Sequence, residues 1–432
     1  SELVDRPIAQ LNRAPETEVA QPREPSQQVA APPIVRSLAD LLKPIWRQRL
    51  NTWLRRLRRC LHLAGKGEWR KARRMRPPDL WVGAEESMLP EVAAFDWDLR
   101  PLEEGKPAVP TARSQHPASP PHGSVRLSEV LAADAEDGGQ FADRAIVREI
   151  VDGIADDVTA VRGSFLCAPH SGGMEFHDEA AARLRAGVDA GWSSLHASLP
   201  YWPLRCDPYS VVDESARAGK PKFRLTNDHS WPPPESVNTD GTLRSPLDRS
   251  RACVQSLNAA MDRSDWPEAK LMRVQQMAEA AAILQTSSAN VRVGVLDIVA
   301  YYKQFGRQLD ELYRNGVLTA EGVVIDERCC FGSAADAAKC SRISNFLVHH
   351  ARRAMQAVDE AYPSRDEGVL AWLQRRRAAG EAAGASDVEL RELWACLHAV
   401  GMYIDDGSHV SVDDLLYSRD GEPLLREGVH VR

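Results

Sequence analysis

The amino-acid sequence predicts an α+β fold, in which helices and antiparallel strands occur along one chain. Its 432 residues are 43% hydrophobic, which is enough to bury at least one large core. From about residue 125 onward, segments with helical periodicity and short apolar strands both occur. They do not alternate strictly, and this irregular order favours α+β over a parallel βαβ arrangement.

The sequence of residues 1–124 predicts an irregular tail, a basic arm and a linker. Residues 1–36 contain six prolines and little periodicity, so we expect them to be disordered. Residues 37–100 form the predicted basic amphipathic arm. Between Lys43 and Arg76 there are 13 Lys or Arg and one acid, a local charge of +12. Because the net charge of the whole chain is -7, the remainder of the chain carries a net charge of -19. Residues 101–124 are rich in Pro and Ser and predict a linker.

The arm contains a helical pattern of Trp and Leu interrupted by arginines. Such a helix can bind nucleic-acid phosphates, an anionic membrane surface or a partner helix. The alternative is a solvated basic face whose leucines pack on the rest of the protein. The sequence leaves these possibilities open.

Residues 125–432 predict the folded body. Helices are expected over 141–154, 179–192, 268–285 and 341–358. Strands are expected over 210–214 and 222–226 around a turn at 218–221, and over 291–298. Residues 373–386, with an Arg run and much Gly and Ala, predict a surface insertion. The apolar run 393–404 ends in two acids.

Several classes of protein find no support. No run of about 18 apolar residues predicts a membrane span, and the start of the chain does not resemble a signal peptide. The eight cysteines contain no CxxC pair, which indicates reduced and mostly buried thiols of an intracellular, non-secreted protein. The phosphate-binding patterns GxxxxGK[ST] and GxGxxG are absent. His349-His350 lacks a Cys or acid at ligand spacing and predicts a solvated helix face.

Aspartates follow two apolar strands. Asp297 ends the strand Val293-Gly294-Val295-Leu296, and Asp405-Asp406-Gly407 follows Tyr403-Ile404. Neighbouring carboxylates repel one another, so a folded protein tolerates them best where cations bind. Carboxylate oxygens suit Mg²⁺ or Mn²⁺, and two such ions can activate a hydroxyl and stabilise a leaving oxygen. The alternative for Asp405-Asp406 is an ordinary hairpin turn.

The order of these segments resembles the motif series of a reverse transcriptase. The series is Lys222-Phe223-Arg224, then Asp297 with Tyr302 five residues later, then Phe331-Gly332, then Tyr403-Ile404-Asp405-Asp406. The segment Asp228-His229-Ser230-Trp231-Pro232, followed by Ser236-Val237-Asn238, is similar to one in DIRS-type (tyrosine-recombinase) retrotransposon polymerases. The resemblance covers roughly residues 200–415.

The resemblance implies a right-hand polymerase of fingers and palm within residues 125–432, with an antiparallel palm sheet. Because 26 residues follow Asp406, the thumb is expected to be missing, and the chain is expected to be truncated or degenerate. The implied activity is RNA-directed DNA synthesis, in which two Mg²⁺ or Mn²⁺ ions join a deoxynucleotide to a primer 3′-hydroxyl on an RNA or DNA template. The implied metal ligands are Asp297, Asp405 and Asp406.

The remaining roles follow from the same resemblance. Lys222, Arg224, Phe331 and Gly332 would contact the incoming nucleotide, and Tyr302 would exclude a 2′-hydroxyl. Tyr403 would support the acid turn and touch the primer. The alternatives are a packed core tyrosine for Tyr302 and a solvated strand face for Lys222 and Arg224. For the whole protein, the alternative is a catalytically inactive, nucleic-acid-binding relic of a polymerase; a nuclease of the RNase H type fits the aromatic neighbours of the aspartates less well.

Overall fold

A computed structural model describes most of the body and part of the arm: residues 44–82, 127–158, 164–196, 204–232, 256–264, 266, 273–287, 290–361, 363–404 and 406–412. The predicted disordered tail and linker lie outside these residues, as do Asp405 and the last 20 residues. How the chain divides into domains therefore stays a prediction.

The first half of the described chain is mostly helical, with short strands. Its helices are α1 (Pro44–Gly65), α2 (Trp69–Met75), α3 (Leu127–Glu136), α4 (Arg144–Asp152), α5 (Ser171–Glu175), α6 (His177–Asp189) and α7 (Ser215–Ala218). Its strands are β1 (Leu80–Val82), β2 (Ser164–Leu166), β3 (Ser193–His196), β4 (Arg205–Cys206), β5 (Tyr209–Asp213) and β6 (Phe223–Asn227).

The second half contains the longest helix, α10, and the strands with the predicted aspartates. Its helices are α8 (Leu257–Ala260), α9 (Val274–Gln285), α10 (Ala334–Ala361), α11 (Glu367–Ala382) and α12 (Asp387–Glu389). Its strands are β7 (Val291–Asp297), β8 (Gly316–Leu318), β9 (Val323–Asp326), β10 (His398–Tyr403) and β11 (Asp406–Val412). Short 3-10 turns over Tyr301–Gln304 and Leu309–Arg314 follow β7.

The strands form three sheets. A three-stranded antiparallel sheet has the order β10-β11-β7, and β5 pairs with β6 as an antiparallel hairpin. A six-stranded sheet has the order β1-β2-β4-β8-β9-β3, in which β2-β4 and β4-β8 are parallel. The predicted α+β class with antiparallel sheets is confirmed. The parallel pairs were not expected, because their strands are too short to show a pattern.

Each face of the three-stranded sheet packs against a hydrophobic core. On one face, Ala399, Val410 and Val412 pack against α9 and α11. On the other face, Met402 contacts a core built from α4, α10 and the turn after β7. This sheet is therefore packed on both faces by helices from different parts of the chain, from α4 to α11.

The predicted surface insertion over 373–386 is wrong. Most of it belongs to α11, whose Trp372 and Arg376 are buried. The Arg376 guanidinium lies 5.3 Å from the Trp372 ring and 5.6 Å from the Trp394 ring, and its Nε donates to the Trp394 carbonyl at 2.8 Å. Cation–π contacts of this kind let an arginine occupy a core position.

Candidate functional site

Two predicted metal ligands meet at one end of the three-stranded sheet. Asp297, the last residue of β7, pairs directly with Asp406, the first residue of β11, and Asp406 pairs with Tyr403 at the end of β10. Directly paired residues lie on the same sheet face with Cα atoms about 4.5–5.5 Å apart. Residues 109 positions apart in sequence thus place two carboxylates side by side. Asp405 lies outside the described residues.

The face that carries these carboxylates is open at their end. Val295, two residues before Asp297 on the same face, is 76% exposed, and Tyr403 is 51% exposed. Among the described residues, α9 and α11 cover the same face only at its other end, around Val410 and Val412. Both aspartates are exposed.

The acid turn is anchored to α10. Ile404, between Tyr403 and Asp405, has a φ of +56°, which is unusual for a β-branched residue. Its carbonyl accepts a hydrogen bond of 2.6 Å from the Ser344 hydroxyl, which also lies 2.8 Å from the Tyr301 hydroxyl. Tyr301 follows Asp297 by four residues, so this chain of bonds ties the two aspartate segments to one helix. No sequence signal identifies Ser344, since its role depends on packing between distant segments.

Tyr302 and Phe331 are in contact. Their ring centroids are 4.5 Å apart. Phe331 is 51% exposed, whereas Tyr302 is 6% exposed and belongs to the core that also contains Tyr301. Tyr302 thus packs as a core tyrosine, which was the alternative. Its role in excluding a 2′-hydroxyl stays a prediction.

Gly332 places the Phe331 loop against the end of β6. Its φ is +108°, and a Cβ at this position would lie 1.9 Å from the Asn227 carbonyl oxygen. The Gly332 carbonyl in turn accepts a bond of 2.8 Å from the Asn258 amide. The loop that carries Phe331 is therefore held between β6 and α8, and only glycine allows this approach.

Gly332→Ala is expected to reduce the free energy of unfolding by about 2–4 kcal/mol, because the backbone must move to accommodate the methyl group. Gly384→Ala is the matched control, since Gly384 also has a positive φ, of +78°, but no atom lies within 4 Å of the added Cβ. We expect this control to cost about 1 kcal/mol. Denaturant titration measures both; equal losses would show that the Asn227 contact is not made.

Lys222 and Arg224 share an acidic partner. Lys222 Nζ lies 3.4 Å and Arg224 Nε 3.0 Å from the same oxygen of Glu214, across the β5–β6 hairpin. The hairpin was predicted correctly. The two basic side chains extend from alternate positions, as expected for one strand face, but a triphosphate would have to compete with Glu214 for them. Glu214 lies before the turn in the sequence, and the fold brings it to both basic side chains.

A buried ion cluster contacts the residue that precedes Phe331. The guanidinium of Arg307 contacts the carboxylates of both Asp156 and Asp336, and all three side chains are inaccessible to solvent. Asp336 also accepts the Cys330 backbone N–H at 2.7 Å. Burial raises the pKa of Asp336, with Arg307 opposing this effect and Asp156 adding to it, whereas Arg307 holds the pKa of Asp156 below its usual value against the effect of burial. The cluster is structural, because none of its groups reaches the surface.

His229 extends this cluster. Its Nδ1 lies 2.8 Å from Asp207 and its Nε2 lies 3.2 Å from the Cys330 thiol, and all three residues are buried. Although burial favours the neutral ring, Cys330 and Asp207 raise the pKa of His229 to about 10. The segment around His229, which carried the DIRS-type resemblance, is thereby joined to the residue before Phe331.

The prediction for His349 and His350 is wrong, because neither lies on a solvated helix face. Their rings pack in the partly buried groove around Phe141 and Phe346, and His350 Nε2 lies 3.5 Å from Asp134. Burial lowers the pKa of His349 to about 4. These histidines are packing residues.

The fit of the aspartate pair to metal ions rests on charge. Asp297 and Asp406 form no ion pair with any Lys, Arg or His that the structure describes. Like charges directly opposite on a sheet are destabilising, so a bound cation would relieve the repulsion. Within the described part of the chain, no group of three or more His, Cys, Asp or Glu could hold a metal ion. The third predicted ligand, Asp405, is outside that part.

The seven described cysteines are free and buried, as predicted, and Cys253 is outside the described residues. No described helix is long and apolar enough to cross a membrane. No protein-family model matches the chain, and no curated protein matches it.

Proposed function

We propose that the chain is a reverse transcriptase of the DIRS-type retrotransposon class, which extends a primer on an RNA or DNA template. One observation carries the proposal: Asp297 and Asp406, from separate sequence motifs, are direct partners at one open sheet end. The finer architecture that we propose follows from it, with the three-stranded sheet as the palm and the β5–β6 hairpin as part of the fingers.

The arrangement of the other predicted residues supports the proposal. Tyr302 follows Asp297 in the chain and touches Phe331, and Gly332 touches the end of the hairpin. The four motifs therefore form a continuous set of contacts, although they are spread over more than 180 residues. A set of unrelated hairpin turns and core residues would have no reason to assemble in this way.

In the proposed reaction, the primer 3′-hydroxyl releases its proton to water, and its oxygen attacks the α-phosphorus of a deoxynucleoside triphosphate. A new P–O bond forms, the bond to the bridging oxygen of the β-phosphate breaks, and pyrophosphate leaves. Asp297, Asp405 and Asp406 would hold two Mg²⁺ or Mn²⁺ ions, which lower the pKa of the attacking hydroxyl and stabilise the leaving oxygen when bound. Tyr403, which is exposed beside Asp406, would contact the primer.

Primer extension tests the proposal. The full chain is incubated with an RNA template, an annealed DNA primer and deoxynucleotides, and the products are resolved by length. We expect extension with Mg²⁺ or Mn²⁺ and none with EDTA, because the carboxylates are negative and without metal ions supply no positive charge to neutralise the phosphates. Template binding without synthesis on any template or with either metal would favour the inactive relic.

A further inference from the structure

The basic arm has two faces with different surroundings. Trp53, Leu57, Leu61 and Ala64 of α1 are buried. Cys60 between them lies 3.7 Å from the Met174 sulfur of α5, and its thiol donates to the Ala72 carbonyl of α2. The next segment, β1, pairs with β2 in the six-stranded sheet. The apolar face of the arm is thus part of the body of the protein.

The opposite face carries a positive charge that, among the described residues, only Glu68 offsets. Nine basic residues of α1, α2 and the turn between them are exposed, and we call them the basic platform: Arg55, Arg56, Arg58, Arg59, Lys66, Arg70, Lys71, Arg73 and Arg74. With Glu68, which pairs with Lys71, residues 51–75 have nine basic side chains and one acid, a net charge of +8. At 3.6 residues per turn, Arg55 and Arg59 of α1 lie within about 40° of one another, opposite the buried stripe.

The platform is not explained by the stability of the helix. Arg55 and Arg59 are four residues apart, and Arg56 and Arg59 are three apart. Like charges at these spacings destabilise a helix by about 0.2–0.5 kcal/mol per pair. The described acids do not lie among them to offset the repulsion, except for Glu68. An anion from outside the protein would offset this repulsion between the arginines.

We propose that the basic platform binds the sugar–phosphate backbone of nucleic acid without preference for base sequence. Arginine presents paired donors that match phosphate oxygens, and contacts to phosphate carry no base information. The inference rests on the proposed function in one respect: the bound nucleic acid is taken to be the template or the primer. The platform lies on α1 and α2, whereas the aspartates lie on the separate three-stranded sheet.

The structure favours nucleic acid over the other two partners that the sequence left open. A helix that binds a membrane surface inserts its apolar face, and that face of α1 is already buried in the protein. A protein interface has an apolar or aromatic centre, whereas the platform offers mainly charge. Phosphate binding requires only the cations.

The test compares two variants of the full chain that lose the same charge. The platform variant is Arg55→Gln/Arg56→Gln/Arg58→Gln/Arg59→Gln. The control variant changes four exposed arginines elsewhere, Arg148→Gln/Arg375→Gln/Arg377→Gln/Arg391→Gln. Glutamine keeps a helix propensity close to that of arginine, so both variants should fold. Circular dichroism and thermal unfolding check this.

Binding is measured with fluorescent single-stranded RNA and DNA oligonucleotides of several unrelated sequences, at salt concentrations from about 50 to 200 mM. For the platform variant we expect affinity at least about tenfold weaker for every sequence. The slope of log affinity against log salt should decrease in magnitude by up to about 2.8, because each lost phosphate contact accounts for about 0.7 on a single strand. The control variant should retain the slope of the unmodified chain.

Equal slopes for both variants would overturn the proposal. So would a loss of binding confined to one base sequence, or a platform variant that loses binding to vesicles of phosphatidylserine and phosphatidylcholine but retains binding to the oligonucleotides. The outcome is separate from that of the proposed function: a chain that synthesises no DNA but shows the expected slope change fails as a polymerase and still has a nucleic-acid platform. If synthesis depends on Asp297 but the platform and control variants bind the oligonucleotides alike, the polymerase proposal holds and the platform proposal fails.

Discussion

Asp297→Asn is expected to reduce primer extension by about a thousandfold or more. The amide retains the shape of the side chain but removes a charge that would hold the proposed metal ions, and a loss of about 4 kcal/mol of transition-state stabilisation corresponds to this factor. Asp405→Asn should have the same effect, and Asp406→Asn a smaller one, since Asp406 is expected to be an auxiliary ligand. Single-turnover extension with saturating template and Mg²⁺ measures the loss.

The fold provides an independent readout for Asp297→Asn. Asp297 is exposed and lies opposite Asp406, so the substitution removes a repulsion and should leave the melting temperature unchanged or slightly higher. Asp178→Asn is the matched control, because this aspartate is exposed on α6, outside the predicted site. Undiminished synthesis by Asp297→Asn would show that Asp297 is not a ligand of a catalytic metal ion.

Arg307→Met is expected to reduce the free energy of unfolding by about 3–5 kcal/mol. The substitution leaves Asp156 and Asp336 buried without their shared cation, and a buried charge without a partner costs this much. Arg185→Met is the matched control: Arg185 pairs with Glu321 at the surface, and loss of an exposed pair costs about 0–1 kcal/mol. Denaturant titration at neutral pH measures the difference between the two variants.

The loss caused by Arg307→Met should depend on pH in a defined direction. Without Arg307, burial raises the pKa of both carboxyls in the folded state above the unfolded value, so the folded state binds more protons. The penalty is then present at neutral pH and decreases as the pH falls toward about 4. The additional changes Asp156→Asn and Asp336→Asn should recover part of the stability at neutral pH. A deficit that is independent of pH would mean that the cost comes from packing and not from charge.

Local sequence patterns predicted the elements that carry the candidate site. Alternation and turn residues predicted the β5–β6 hairpin, and the apolar run before Asp297 predicted β7. These predictions succeeded because strand and turn preferences act between neighbouring residues. The start of α10 was placed seven residues too late, since Asp336 and Lys339 are charged and do not read as core residues.

Whether a charged residue is buried depends on partners that are distant in sequence. Arg376 is buried between two tryptophan rings, and Asp336 is buried against Arg307. The penalty for burying a charge depends on whether a distant partner reaches it. Periodicity contains no information about that partner, so the pattern of Leu373 to Ser386 predicted an insertion where the structure has a core helix.

The sequence by itself determined which residues are candidates for chemistry and that the arm is basic on one side and apolar on the other. Only the tertiary structure decided that Asp297 and Asp406 are neighbours, that Ser344 and Tyr301 join their segments, and that the apolar side of the arm is buried in the body. The physical reason is the range of the interactions. Strand alternation and helix amphipathicity arise within a few residues, whereas register between distant strands and the covering of a helix face depend on segments that meet only in the folded chain.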